Sequence, residues 1–123
     1  GVVIVTTPQQ VSLQDARRGL AMFRQLGIPV LGVAENMTAF IPPDLPDRRY
    51  ALFGSGGGAT LAQDYDVPLL AQIPMEMPLQ EAGDAGRPIV TSRPDSTSAQ
   101  EFRQLAEAVF HAASLADTVG QPT

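Results

Sequence analysis

Cysteine, tryptophan and lysine are missing from this 123-residue sequence. All eight of its Lys and Arg positions are arginines, and it has a single histidine. Without cysteine the chain has no thiolate for zinc and no thiol nucleophile. Without lysine it has neither a Schiff-base amine nor a phosphate-binding loop of the G-x-x-x-x-G-K-[ST] type. One histidine cannot build a multi-histidine metal site. These absences exclude several catalytic chemistries at once.

Charge is also one-sided, since 13 acidic residues give a formal net charge of -5. Nucleic-acid binding depends on a basic stripe that neutralises phosphates, and scattered arginines on an acidic chain do not supply one. No apolar run approaches the roughly 20 residues that span a bilayer. The composition therefore predicts a soluble domain whose partners are neither nucleic acid nor membrane. The lack of cysteine is compatible with a reducing compartment such as the cytoplasm.

Alternating strand and helix signals predict an α/β fold. Residues 1–8 form a β-branched run typical of a parallel strand buried on both faces. Ser12 is a candidate N-cap for a helix that ends at Gly27, a residue suited to a left-handed stop. Further strands are predicted at 29–34 and 67–74, which gives a partial parallel sheet with right-handed crossovers.

The remaining segments are less regular. Prolines predict a long loop over residues 37–50 with an extended or hairpin-like return through residues 50–53, and a glycine-rich run then leads into a short helix. A helical turn, a short extended piece and a final helix capped by Asp95 or Ser96 are predicted at 79–83, 88–90 and beyond 96. The apolar face predicted for that helix comprises Phe102, Leu105, Ala106, Val109, Phe110, Ala113 and Leu115. Residues 1–116 are expected to belong to one domain and residues 117–123 to a disordered tail.

Ligands of open parallel sheets bind outside the carboxyl ends of the strands. The residues that follow the predicted strands are Thr6, Thr7, Gln9, Glu35, Asn36, Pro74, Met75 and Glu76. The Asn36 carboxamide can donate and accept hydrogen bonds at a base edge, or it can serve a turn. Glu35 has no basic, metal or carboxylate partner in the sequence and is expected to be structural.

Other motifs carry weaker signals. The glycine run 54–58 can hold an anion on backbone N–H groups, but it lacks a lysine and follows a loop, so tight packing or flexibility is favoured. His111 is interpreted as a boundary residue of the last helix. Arg48 and Arg49 form a solvated basic tip that can also contact a partner. The four methionines are expected to fill gaps.

Six motifs, in order, resemble those of the Mrp family. They are residues 3–9, 15–19, 33–37, 53–58, 73–76 and 83–90, and the match runs from Val2 to about Val109. Mrp proteins, or ApbC-type iron–sulfur cluster carriers, are P-loop ATPases related to MinD and to the nitrogenase iron protein. The resemblance implies the C-terminal half of a P-loop NTPase domain.

The same resemblance implies site residues and partners. Asn36 would contact adenine, Pro74, Met75 and Glu76 would line the base and ribose side, and Gln80 matches a further nucleotide position. Family members usually have Asp where Glu76 stands. Because glutamate is one methylene longer, the resemblance does not decide whether the Glu76 side chain contacts the nucleotide. ATP would be the cofactor, with the phosphate loop and Mg²⁺ supplied upstream of this chain. A homodimer and iron–sulfur client proteins are the implied partners.

One family motif is missing. Many Mrp relatives carry a C-x-x-C pair whose thiolates bridge a [4Fe-4S] cluster between two subunits, and the corresponding residues 41–50 contain no thiol. The sequence is similar here to a branch that includes chloroplast-type carriers. Any cluster ligands of the parent would therefore lie outside this chain. The implied location is the cytoplasm, or the plastid stroma if a transit segment lies upstream.

Three functions remain open from the sequence. The chain is the nucleotide-binding portion of an ATP-dependent carrier, inactive alone because the phosphate loop is absent, or a non-catalytic α/β interaction or scaffold module. A partition ATPase of the MinD class is the third. Its membrane-targeting tail would be rich in lysine and arginine, whereas residues 101–119 contain only Arg103.

Overall fold

The computed structural model describes the backbone of residues 1–120 and the side chains of residues 1–115. Over this range three parallel strands lie in the order β1-β2-β3 and are flanked by helices, which confirms the predicted α/β class. In chain order the elements are β1 Val2–Thr6, α1 Gln10–Gln25, β2 Val30–Phe40, α2 Gly57–Asp64, β3 Leu69–Met75, α3 Met77–Asp84, α4 Ile89–Ser92 and α5 Thr97–Gly120. The predicted domain limit at 116 and the predicted tail stay predictions. The backbone of α5 continues to Gly120, and residues 121–123 lie outside the described residues.

β2 is the central strand, and residues 31–35 are all buried. Because side chains alternate between the faces of a strand, an unbroken buried run means that both faces are covered. Helices α1 and α2 supply one cover and α5 packs on β2 and β3. The main core cluster joins β1 and β2 to α1 and α2 through Ile4, Leu13, Ala16, Leu20, Val33, Leu61 and Ala62.

β1 departs from its prediction. It pairs only with β2, so it is an edge strand of the described sheet, and Val5 is 65% exposed. The β-branched run thus forms a strand but is not buried on both faces, because α1 packs on β1 whereas α5, the helix that also covers the sheet, packs on β2 and β3.

The start of α1 also needs a correction. The N-cap is Gln9, whose side chain makes no capping bond, and Ser12 lies inside the first turn. The Ser12 hydroxyl instead accepts a hydrogen bond from the backbone N–H of Thr7 at 3.0 Å, which ties the helix back to the end of β1. At the other end, Gly27 has a φ of 73° and ends the helix as predicted.

The connection after β2 is more ordered than a loop. The strand continues to Phe40, although the ladder with β3 is irregular between Asn36 and Phe40. Phe40 then pairs with Tyr50 in an antiparallel bridge with N···O distances of 2.7 and 2.9 Å, which confirms the hairpin-like return.

Two predictions near the C-terminus change. Residues 89–92 form a short helix rather than an extended piece, because Pro88 has a φ of -57° and its carbonyl accepts hydrogen bonds from the backbone of Thr91 and Ser92. Ser96 does cap α5, since its hydroxyl accepts the N–H of Ala99 at 3.1 Å. The predicted apolar face of α5 is wrong at three exposed positions, Ala106, Phe110 and Leu115, which lie on the solvent side.

Helices α1 and α2 are joined by a surface ion pair between Arg17 and Asp64 at 2.7 Å. The hydrogen bond that Arg17 donates to the Asp64 carboxylate raises the pKa of the Arg17 guanidinium above its ordinary value. Arg24 donates to the carbonyl of Tyr65, and its guanidinium lies 5.6 Å from the centre of that ring. These contacts hold α1 and α2 together on one side of the sheet.

Candidate functional site

A cavity of about 370 Å³ opens at the carboxyl ends of β2 and β3, and we call it the strand-end cavity. Its walls come from the end of β2, the end of β3 and the first turn of α3. The lining residues are Asn36, Met37, Phe40, Pro74, Met75, Glu76, Met77, Leu79 and Gln80. All five site residues predicted from the sequence are therefore brought together around one space. Their role towards a nucleotide stays a prediction.

Asn36 is positioned by an unusual turn of the backbone. Its Oδ1 atom accepts a hydrogen bond from the backbone N–H of Met37 at 2.9 Å, and Met37 has a φ of 57°, in the left-handed region. A left-handed conformation is rare and costly for a residue other than glycine, and such residues concentrate at functional sites. Within the described residues the Asn36 amide nitrogen makes no hydrogen bond. Its two N–H donors are therefore free for a ligand in the cavity.

The apolar walls are rich in methionine. Met37, Met75 and Met77 all line the strand-end cavity, together with Pro74, which is almost fully buried. Methionine side chains are flexible and polarizable and make favourable contacts with aromatic rings. Met75 is a predicted site residue, whereas the sequence analysis assigns Met37 and Met77 only to gap filling and misses their place in this wall. Phe40 and Leu79 were missed as well, because no sequence signal distinguishes them from core residues.

Glu76 lines the cavity but also has a structural task. It is the N-cap residue of α3, and its Oε1 atom accepts a hydrogen bond from the backbone N–H of Ser98 in the first turn of α5 at 2.7 Å. A carboxylate at a helix N-terminus is favoured by the helix dipole. Glu76 therefore holds α5 against the end of β3, and Gln80 lies exposed one turn along α3.

The glycine run 54–58 leads into α2, and the anion site at the start of this helix is filled by a side chain of the protein itself. The backbone N–H of Gly58, in the first turn of α2, donates to Oε2 of Glu35 at 2.6 Å. Glu35 is 1% exposed, and it also accepts hydrogen bonds from Thr38 at 2.5 Å and Gln72 at 3.5 Å. The anion at this helix N-terminus is thus a buried carboxylate. Glu35 is structural, as expected, and the close approach accounts for the glycine at position 58.

Metal ligands are not gathered in the part of the chain that the structure describes, where no group of three or more His, Cys, Asp or Glu side chains can hold an ion. His111 lies exposed on α5, away from the strand-end cavity. Among the described helices, none is long and apolar enough to cross a membrane.

A parallel sheet flanked by helices, with a cavity at the strand ends, is the architecture of open α/β proteins, and solved P-loop NTPases match it. MinD from Pyrococcus horikoshii, solved with Mg-ADP, has a TM-score of 0.70 and 26% identity over 94% of this chain and 44% of its own. A nucleotide-binding protein from Archaeoglobus fulgidus in complex with ADP has a TM-score of 0.59 and 35% identity over 69% of this chain and 35% of its own.

The chain belongs to the ParA family, through a family model described as NUBPL iron-transfer P-loop NTPase that matches residues 1–110. An iron-sulfur cluster carrier protein from Synechocystis is 56% identical over 119 residues, which are 97% of this chain and 34% of that protein. The mouse iron-sulfur cluster transfer protein NUBPL is 39% identical over 109 residues, covering 89% of this chain and 34% of its own. The chain thus spans about a third of the length of these relatives.

Proposed function

We propose that this chain is the adenine-binding portion of an ATP-dependent iron–sulfur cluster carrier. Its main support is the strand-end cavity, around which the five predicted residues meet with a free Asn36 amide at the rim. The relatives that carry iron–sulfur clusters and the neighbours solved with ADP support the same conclusion.

In this proposal each wall has a distinct task. The Asn36 N–H donors bond a ring nitrogen of adenine, which is an acceptor. Pro74 and the methionine side chains pack against the faces of the base. Glu76 and Gln80 lie at the ribose side, where Glu76 also keeps the wall in place through its bond to α5. This division fits a planar base and a sugar.

This chain lacks the groups that bind the phosphates of ATP. It has no lysine, and the described residues hold no acidic cluster for Mg²⁺. We therefore assign the phosphate and Mg²⁺ contacts to a part of the parent protein outside this chain. ATP supplies binding energy and hydrolysis that open and close a homodimer, and this chain contributes the base contacts to that cycle.

The iron–sulfur cluster is cargo in this proposal, and client proteins receive it. The chain has no cysteine, and carboxylates and arginines are poor ligands for the soft irons of such clusters. The thiolates that hold the cluster therefore come from outside this chain. Cytoplasm or plastid stroma remains the predicted location.

The test is a titration of the 123-residue chain with ATP, ADP and GTP, followed by amide chemical shifts. ATP and ADP should shift the amides of Asn36, Met75 and Gln80. Binding will be weak because this chain contacts the base and not the phosphates. Asn36→Asp keeps an oxygen for the Met37 N–H, loses the donors and adds a negative charge beside an anionic ligand, so it should weaken ADP binding by about tenfold or more.

The matched control is Gln63→Glu, the same amide-to-carboxylate change at an exposed site on α2. It should leave ADP binding unchanged. Unaltered binding by Asn36→Asp, or shifts confined to residues outside the strand-end cavity, would contradict the proposal. A complete lack of nucleotide binding would instead support the non-catalytic interaction or scaffold module.

A further inference from the structure

A second cavity, of about 350 Å³, lies beside the strand-end cavity, and we call it the apolar pocket. Its floor is a separate small core cluster that contains Ala82, Ile89 and Ala99, with Leu79, Val90 and Phe102 packed around them. Most of these side chains also line the pocket, which is thus walled by α3, α4 and α5. The pocket is apolar, open and unexplained by nucleotide binding.

Arg87 is the one charged residue of this lining. It also borders an adjacent recess of about 180 Å³, here called the basic recess, in which Arg93 is a second arginine and Glu81 the one acid. Both ion pairs formed among residues 1–115 lie elsewhere, at Arg17 and Arg18. Two unpaired guanidinium groups therefore stand beside an apolar pocket on a chain whose net charge is -5.

We propose that the apolar pocket and the basic recess together dock a partner polypeptide that presents a large apolar side chain next to an acidic one. The two spaces share Ala82 and Arg87, so they are contiguous. Neighbouring side chains of one peptide segment can fill both at once. A large apolar side chain that fills a pocket is a typical interaction hot spot. The unpaired arginines select an acidic partner by charge complementarity.

The position of this surface keeps it accessible. The sheet order is β1-β2-β3, and the pocket walls follow β3 in the chain and contain no residue of β1 or α1. One of its walls, α5, packs chiefly on β3, the strand farthest from β1. A strand that paired with β1 would leave the pocket open.

Gly83 gives a direct way to close the pocket. It lines the pocket from within α3, and a Cβ atom built at Gly83 meets nothing within 4 Å apart from its chain neighbours and the backbone of its own helix. The first atom of a side chain is therefore accommodated, and we expect the remaining atoms of a leucine to narrow the mouth of the pocket. Gly19 in α1 has the same free surroundings and lines none of the cavities described above, so Gly19→Leu is a matched control.

The experiment selects random linear peptides on the folded 123-residue chain and then measures the affinity of the winners by fluorescence anisotropy. The selected peptides should share a Leu, Phe or Trp with Asp or Glu one or two positions away. Gly83→Leu should weaken their binding by about tenfold or more, as loss of a hot-spot contact does. Arg87→Glu should weaken it by about tenfold or more as well, because charge reversal brings like charges together. Gly19→Leu should bind them as the parent chain does.

Circular dichroism on heating checks that each variant is folded. If Gly83→Leu does not fold, Arg87→Glu, at an exposed position, still decides the matter. Selected peptides without the apolar–acidic pair, or with equal affinity for Arg87→Glu, would overturn the proposal. Octanoate, a small amphipathic carboxylate, serves as the competing ligand. Binding of octanoate in the pocket with no peptide selected would assign the site to a small molecule and overturn it too.

Discussion

Oε2 of Glu35 and the backbone nitrogen of Gly58 lie 2.6 Å apart, in a buried hydrogen bond that fixes the start of α2 on β2. A Cβ atom at position 58 would stand 2.5 Å from the same carboxylate oxygen and 3.0 Å from the Glu35 Cβ. The glycine is therefore favoured by the close approach of the Glu35 side chain to the start of α2, and the carboxylate takes the place that an external anion would occupy.

Gly58→Ala should lower the free energy of unfolding by about 1–3 kcal/mol, because the overpacked methyl group must displace a buried carboxylate. Urea denaturation measures the change. Gly19→Ala is the matched control, since its Cβ meets nothing within 4 Å in the helix, and it should raise stability by about 0.5–1 kcal/mol. Equal effects of the two substitutions would contradict the packing argument.

Glu35→Gln should also destabilise the fold, by about 1–3 kcal/mol. The amide group replaces one acceptor oxygen with a donor and leaves Thr38, Gly58 or Gln72 facing another donor in a buried site. The exposed Glu107→Gln makes the same chemical change on α5 and should stay within about 0.5 kcal/mol of the parent. A stability of Glu35→Gln equal to that control would show that the network is not needed.

Glu76 should contribute to stability through α5. Glu76→Ala removes the hydrogen bond to the Ser98 N–H and should cost about 1–2 kcal/mol, whereas Glu76→Gln keeps an acceptor and should cost about 0.3–1 kcal/mol from the lost interaction with the helix dipole. Thermal unfolding of both variants separates the two contributions. Identical midpoints for Glu76→Ala and the parent would exclude the capping role.

The 123-residue chain alone should show no ATPase turnover. The groups that stabilise phosphoryl transfer, a lysine on the phosphates and carboxylates around Mg²⁺, are missing from its sequence or from its described residues. Release of inorganic phosphate measures the turnover, with an active P-loop ATPase as the positive control of the assay. Turnover that persists through further purification and scales with the chain's concentration would contradict this expectation.

Much of the sheet and the location of the site were predictable from local sequence. Parallel strands end at the same edge, so residues that follow two strands, such as Asn36 and Pro74, had to meet. Gly27 was predictable as the end of α1 because a left-handed backbone conformation favours a residue without Cβ. Ser96 was predictable as the N-cap of α5 because a serine hydroxyl accepts a hydrogen bond from a backbone N–H three residues later. These features depend on neighbours a few residues away.

The failures involve contacts between distant segments. Glu76 reaches Ser98 across 22 residues, and Gly58 reaches Glu35 across 23, so their partners follow from how helices pack and not from a local pattern. The face of α5 was misjudged at Phe110, which is 77% exposed, because apolar spacing does not say how far the sheet extends beneath a long helix. Residues 88–90 were misread since one proline suits both an extended segment and a helix start.

Three of the chain's four methionines line the strand-end cavity, and the chain has no cysteine, so its oxidisable sulfur is concentrated at one site. Met37 and Met77 are 39% and 48% exposed, within reach of peroxide. Conversion of these thioethers to sulfoxides turns an apolar wall polar, and methionine sulfoxide reductases reverse the change. Oxidation of these residues would therefore appear as a repairable loss of the surface on which an aromatic base is proposed to rest.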